Sequence, residues 1–267
     1  MTKRNMQYTI YQIDAFTDKV FEGNPAAVIP LDEWLPDEMM QKIAMENNLS
    51  ETAFFVTTGN GYHIRWFTPV TEVNLCGHAT LASSHVLFNH LNYKGKEIVF
   101  ESKSGELKVR MENDLLWLNF PASGLKEIEF PANAEQAFGK KPVKCLKGRE
   151  DIMFVFTSEK DIQNLKPDFQ YLKTLDARGI IATATSQKYD FVSRFFAPIE
   201  GIDEDPVTGS AHTMLIPYWA VELGKREMVA KQISNRGGII YCKHLGERVE
   251  IGGHAITYLT GNINIEP

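Results

Sequence analysis

Apolar and polar residues alternate from residue 8 to residue 16, and the segment is rich in Tyr, Ile and Phe, which predicts a β-strand. Gly23-Asn24-Pro25 breaks it, and Ala26-Ala27-Val28-Ile29 reads as a short return strand. Pro36-Asp37-Glu38 marks a helix start, because proline suits the first turn and the acids meet the positive end of the helix dipole. That helix runs through Met40, Ile43 and Ala44 and stops near Asn47-Asn48. The pattern then predicts strands over 52–56 and 62–67, a helix over 77–90, and strands over 98–100, 107–111 and 115–120. Helix 77–90 carries Ala79, Ala82, Ser83 and Ser84 around much of its circumference. Small residues on so many sides predict a helix wrapped by sheet rather than one lying on a surface.

The second half repeats the theme. A strand over 152–156 is followed by helical segments over 161–165 and 169–175, then strands over 179–183 and 191–196. The next helix contains Met214, Leu215, Trp219 and Val221, and Pro217 within it predicts a kink unless the helix begins late. Glycine-punctuated strands fill 238–265, and residues 121–131, polar between two prolines, read as the linker. Grouped strands with few helices predict an α+β architecture.

Two segments say the same thing. Arg65-Trp66-Phe67-Thr68-Pro69 leads to Cys76-Gly77-His78-Ala79-Thr80, and Arg194-Phe195-Phe196-Ala197-Pro198 leads to Thr208-Gly209-Ser210-Ala211-His212. The copies start about half the chain apart, which reads as two related halves. Each presents the N-terminus of a helix where a strand ends. Such an end carries unpaired N–H groups and partial positive charge, and a glycine there admits an anion close to the backbone. Two such ends facing each other predict a clamp for a small acidic substrate.

Composition narrows the classes. The 267 residues are enough for two domains, and a formal charge of −6 argues against a basic nucleic-acid surface. No apolar run approaches the ~18 residues needed to cross a bilayer, and the first residues lack a signal-peptide core. Cys76, Cys145 and Cys242 are odd in number and show no metal-ligand spacing. The expectation is a soluble, reduced, cytoplasmic protein without a metal site.

Glu51 stands at the mouth of an apolar strand and has two readings, a solvated loop carboxylate or a general acid/base partly desolvated by Phe54 and Phe55. Cys76, at a helix N-terminus, is either a reactive thiol or a small buried hydrophobe. His78 is either a proton donor or a packing group. Of the acidic run Glu200, Asp203, Glu204 and Asp205, most is expected to be solvated, with Asp205 aimed at the site. Ser210 offers an N–H and a hydroxyl, or a helix cap. The Gly77 and Gly209 turns match neither a Walker loop nor a dinucleotide fingerprint.

Several motifs in order carry a resemblance. They are Asp14-Ala15-Phe16-Thr17, Gly23-Asn24-Pro25-Ala26-Ala27-Val28, Leu49-Ser50-Glu51-Thr52-Ala53-Phe54, the first Arg-Cys segment above, and Glu204-Asp205-Pro206-Val207-Thr208-Gly209-Ser210-Ala211. Over essentially its full length the chain resembles the phenazine-biosynthesis PhzF-like isomerases, within the diaminopimelate epimerase-like superfold. The resemblance implies two pseudo-symmetric domains, residues 1–120 and 131–267, with the last strand free to return to the first. Each would be a curled, mostly antiparallel sheet around a central helix, with the site in the cleft between them. It also implies a homodimer and a cofactor-free reaction; the clamp points to a small anionic metabolite as partner, and charge and hydropathy argue against nucleic acid and membrane. By residue, the resemblance assigns Glu51 as general acid/base, His78 and Asp205 as catalytic polar groups, and Asn24, Gly77, Gly209 and Ser210 as substrate-binding.

One departure bears on mechanism. Related racemases use two thiols; here Cys76 occupies the first position and Thr208 the second, and a threonine hydroxyl is too weak an acid to replace a thiolate. The leading expectation is an isomerase in which Glu51 moves a proton on a carboxylate-bearing metabolite. The alternatives are an amino-acid racemase or epimerase using Cys76, and a catalytically silent small-molecule binding protein.

Overall fold

The computed structural model describes residues 6–59 and 61–265. The chain divides into two compact units, Met1–Asn119 with Gly252–Pro267 (unit 1) and Phe120–Ile251 (unit 2).

The two units repeat one order of elements. In unit 1, strand Met6–Ala15 runs antiparallel to Asn24–Leu31. Helix Asp37–Asn47 then crosses to strand Glu51–Thr58, which lies parallel to Asn24–Leu31 with Glu51 opposite Ala26. Strand Gly61–Phe67 pairs back on it, the central helix Gly77–Asn89 follows, and Glu97–Ser102 returns parallel to Gly61–Phe67 before turning into Gly105–Glu112. In unit 2, Lys144–Lys147 runs antiparallel to Asp151–Val155, and short helices Glu159–Gln163 and Phe169–Leu172 cross to Gly179–Thr185. That strand is parallel to Asp151–Val155, with Gly179 opposite Asp151. Phe191–Phe196, the central helix His212–Leu223, Glu227–Gln232 and Gly238–His244 then repeat the pairing order of unit 1.

Two boundaries differ from the simplest halving. Strand Ala255–Ile265 pairs along the whole of Met6–Ala15, so the chain end belongs to unit 1. Residues 121–131 are built into unit 2 rather than left as a free connection: Lys126–Glu127 pairs with Leu146 and Lys147.

Polar side chains can sit on a buried helix because they bond to its own backbone. Thr80, Ser83 and Ser84 are buried, and their hydroxyls donate to the carbonyls of Cys76, Ala79 and Thr80 at 2.6, 2.8 and 2.9 Å. The helix therefore needs no polar outer face and is buried around most of its circumference. In unit 2, Trp219 donates to Thr183 Oγ1 at 2.9 Å and stacks on Phe191 at 5.6 Å. Pro217 lies inside this helix, where its missing N–H frees the carbonyl of Thr213. The N–H of Ser123 fills that vacancy at 3.0 Å, so the proline is accommodated by residues 121–131.

The outer helices cover the other sheet face. Met40, Ile43 and Ala44 pack with Ile29, Phe54 and Phe67 in unit 1, and Ile162 and Leu172 pack with Phe154 and Phe196 in unit 2. Each large side chain so buried contributes about 1.5–3 kcal/mol. Among the described residues no helix is long and apolar enough to cross a membrane.

Candidate active site

In unit 1 the start of strand Glu51–Thr58 meets the start of the central helix, and five of the residues singled out above come together there. Cys76 is extended (φ −143°, ψ 110°) and ends the approach to the helix without a side-chain capping bond. The turn at Gly77 puts His78 in the first helical turn, where backbone N–H groups have no intrahelical partner. The His78 ring spans three groups. Its Nε2 lies 3.1 Å from Glu51 Oε2, while its Nδ1 lies 3.5 Å from Cys76 Sγ and 3.3 Å from the amide of Asn24. The Nε2 and Oε2 atoms form an ion pair when the ring is protonated, and both are buried.

The electrostatics follow from burial and neighbours. Burial alone would depress the His78 imidazolium, but Cys76 and Glu51 beside it outweigh this and hold it well above the ordinary histidine range. Burial, reinforced by the charge of Glu51, pushes the Cys76 thiol up. The junction thus gathers a carboxyl group, an imidazole and a thiol within contact of one another. Asn24 is fully buried and its Oδ1 accepts from Ser50 Oγ at 3.3 Å. Its amide, 3.3 Å from His78 Nδ1, steadies the ring.

Unit 2 builds the same junction from other groups. Thr208, in the place of Cys76, donates its hydroxyl to the Asp205 carboxylate and takes a bond from Gln232 Nε2 at 3.3 Å. Its own N–H donates to Gln232 Oε1 at 2.9 Å. Ser210, in the place of His78, accepts from Arg178 Nη2 at 3.2 Å, and the same nitrogen donates to buried Asp151 at 2.7 Å. Burial raises the Asp151 carboxyl despite Arg178 beside it. His212, in the place of Thr80, repeats its bond by donating to the carbonyl of Thr208 at 2.9 Å. Burial lowers the His212 imidazole to about 4, so it is neutral.

The repeated arginines turn out to be latches. Arg65 grips Glu72 with two bonds of 2.8 and 2.9 Å and lies over Phe67, two residues along its strand. The Arg65 guanidinium holds the Glu72 carboxyl down at about 2. Arg194 grips Glu204 with two bonds of 2.7 Å and lies over Phe196 in the same way. Glu204, expected to be solvated, is thus an ion-pair partner. The latch fixes the loop that carries the chain from strand end to helix start in each unit.

A family model described as phenazine biosynthesis-like protein matches residues 13–261. The chain belongs to this family. Two Pseudomonas aeruginosa relatives, each named as an uncharacterized isomerase, are 50% identical over 260 residues, covering 97% of this chain and 100% of theirs. A crystal structure of an Enterococcus faecalis phenazine biosynthesis protein of the PhzF family superposes with a TM-score of 0.95 at 45% identity, over 97% of this chain and 100% of that one. A hydroxyproline epimerase from Agrobacterium vitis superposes with a TM-score of 0.64 at 8% identity, over 98% of this chain and 93% of that one, which is a likeness of fold. The fold is accordingly the α+β, epimerase-like one expected, and the protein is an enzyme of the isomerase class.

Sequence reading missed Arg178, Asp151 and Gln232. Asp151 and Arg178 meet only because parallel strands place their ends side by side, and nothing in their local sequence marks it. It also found no metal-ligand spacing, yet Glu51, Cys76 and His78 bring one donor atom each within 4.8 Å of the others. Glu51 arrives from a different strand, so spacing along the chain had no way to show it.

Proposed function

We propose that this enzyme moves a proton between two positions of a small carboxylate-bearing metabolite, without a cofactor, with Glu51 as the general acid/base. The observation that carries this reading is the 3.1 Å approach of Glu51 to buried His78 at the head of a helix. Glu51 takes a proton from an acidic C–H of the substrate and returns it elsewhere on the same conjugated system. The His78 imidazolium steadies the charge on Glu51 and supplies an N–H to a substrate oxygen as electrons move onto it. Gly77 leaves the first-turn N–H groups open to an anion. In unit 2, Asp205 holds Thr208 by its hydroxyl, and we assign the Gly209–Ser210 turn to anion binding.

The test is proton NMR in D₂O with a dihydro-hydroxyanthranilate, L- and D-amino acids and unsaturated small acids. Deuterium should enter one of these compounds, and Glu51→Gln should slow entry about 10²–10⁴-fold while the fold stays intact. Exchange that survives in Glu51→Gln removes Glu51 from the mechanism.

A second reading, a thiol-dependent epimerase, is favoured by the 3.5 Å contact between Cys76 and His78. Against it stand the raised thiol and the engaged hydroxyl of Thr208 in the position of a second thiol. Loss of Cα–H exchange in Cys76→Ala would move the assignment to it.

A further inference from the structure

The backbone acceptors of the turn that opens the unit 2 central helix are already engaged. The carbonyl of Thr208 receives His212 Nδ1 at 2.9 Å, and that of Gly209 receives the N–H of His212 at 3.0 Å. The carbonyl of Ser210 receives both the N–H and the hydroxyl of Thr213, at 3.0 and 2.8 Å. That of Ala211 receives the N–H groups of Met214 and Leu215. The N–H groups of Gly209, Ser210 and Ala211 make no hydrogen bond among the described residues. The backbone of the turn therefore offers donors only. One group is left undecided, the Ser210 hydroxyl, which can donate or accept.

Arg178 decides it. A guanidinium only donates, so Ser210 Oγ must accept from Nη2 at 3.2 Å, and its own proton is left for a ligand. We propose that Arg178 is a positioning residue that turns the Ser210 hydroxyl into a donor, so that the turn selects a substrate carboxylate over a carboxamide or an ammonium. The inference rests on the assignment of the Gly209–Ser210 turn to anion binding and names the residue that sets its preference.

Arg178 is itself firmly held. The same Nη2 donates to buried Asp151 at 2.7 Å, and the guanidinium lies over the Phe195 ring at 5.4 Å. The Arg178 N–H donates to the carbonyl of Glu150 at 2.7 Å. Phe195 fits there because the next residue is Gly179, where a Cβ would stand 2.0 Å from the ring. A planar guanidinium fixed by a carboxylate and a ring gives up little further freedom in holding Ser210. Glu150 Oε2 lies 3.5 Å from Arg178 Nε, but its side chain is 64% exposed, so solvent screens its charge. The matching residue of unit 1 is Ser50, which turns to Asn24 Oδ1 at 3.3 Å instead. Only unit 2 places a fixed donor against the first turn of its helix from this position.

The experiment uses the full chain, labelled with nitrogen-15, and two probes of one shape, benzoate and benzamide. The amide resonances of Gly209 and Ser210 report occupancy of the turn. Benzoate should move them and bind at least about tenfold more tightly than benzamide. Ser210→Ala should weaken benzoate about tenfold. Arg178→Met should weaken it about tenfold when Ser210 is present and less than about threefold on top of Ser210→Ala, because it acts through that hydroxyl. A merely structural role would give the same loss in both backgrounds. Equal losses, unchanged benzoate affinity in Arg178→Met, or equal affinity for the two probes overturns the inference. Removing Arg178 strands the Asp151 carboxylate, so if Arg178→Met fails to fold, the same comparison is made with Asp151→Asn beside it. Benzoate that moves neither resonance at tens of millimolar removes the anion-binding turn, and the inference with it. The proton-transfer reading is tested apart from both, by Glu51-dependent deuterium exchange.

Discussion

The heads of the two central helices are the same scaffold given different chemistry. In unit 1 the junction holds Glu51, His78 and Cys76, three groups that gain or lose protons. In unit 2 the matching positions hold Gly179, Ser210 and Thr208, and the charge comes from Arg178 and Asp151 beside them. The correspondence is structural. Glu51 lies opposite Ala26 on its parallel neighbour and Gly179 lies opposite Asp151 on its own. Each of these strands next pairs with one that carries a latch arginine, Arg65 or Arg194. The two units offer matching platforms: one brings together Glu51, His78 and Cys76, and the other surrounds the hydroxyls of Thr208 and Ser210 with Asp205, Arg178 and Asp151.

The comparison can be broken first at Glu51, where Glu51→Gln is expected to cost the most activity of any single change. Its counterpart Gly179 offers the converse. A methyl group added there would meet the buried Phe195 ring at 2.0 Å and Asp151 Oδ1 at 3.0 Å. Gly179→Ala should therefore destabilise the protein by about 1–3 kcal/mol in a urea melt. A neutral result would mean that the tight packing of unit 2 does not exclude a side chain at this place.

Acid should then separate Thr80 from His212. The folded His212 is held neutral, lowered to about 4 by burial, whereas the unfolded ring titrates near its ordinary value of 6.5. Its contribution is complete above 6.5 and is lost as pH falls toward 4, where the unfolded chain binds the proton first, a loss of up to about 3 kcal/mol. His85 in unit 1 is also lowered to about 4 and adds a loss of the same sign. Melts of His212→Gln should show a shallower decline over this range than the wild type, and an identical slope would contradict the assignment. The smallest effect is expected at Cys76. Cys76→Ala should change turnover by less than about threefold if Glu51 carries the proton, against the 10²-fold or greater loss expected of a catalytic acid/base.

Much of the fold was legible from local pattern. The helix Asp37–Asn47, with Pro36 just before it rather than in its first turn, the strand starting near Thr52 and the small-residue helix beginning at Gly77 lie close to where periodicity and breakers place them. The repeat announced two equivalent halves, because an Arg-x-Phe-x-Pro strand end is a local arrangement: the Arg and Phe, two residues apart, share one face of a strand. Its role as a latch was not legible. Glu72 and Glu204 sit at different distances along the chain from their arginines, and only the folded loops bring them into place.

The sequence by itself determined where strands end and helices begin, since propensity, capping and side-chain period act over a few residues. It also put a carboxylate, a histidine and a thiol in the first half and withheld them from matching positions in the second. Only the tertiary structure decided that Glu51 reaches His78, that Asn24 lies against the ring, and that Arg178 bridges Asp151 and Ser210. Those contacts join residues from separate strands and helices. Their chemistry, including burial, charge pairing and the direction of each proton affinity, exists only once the backbone has set them side by side.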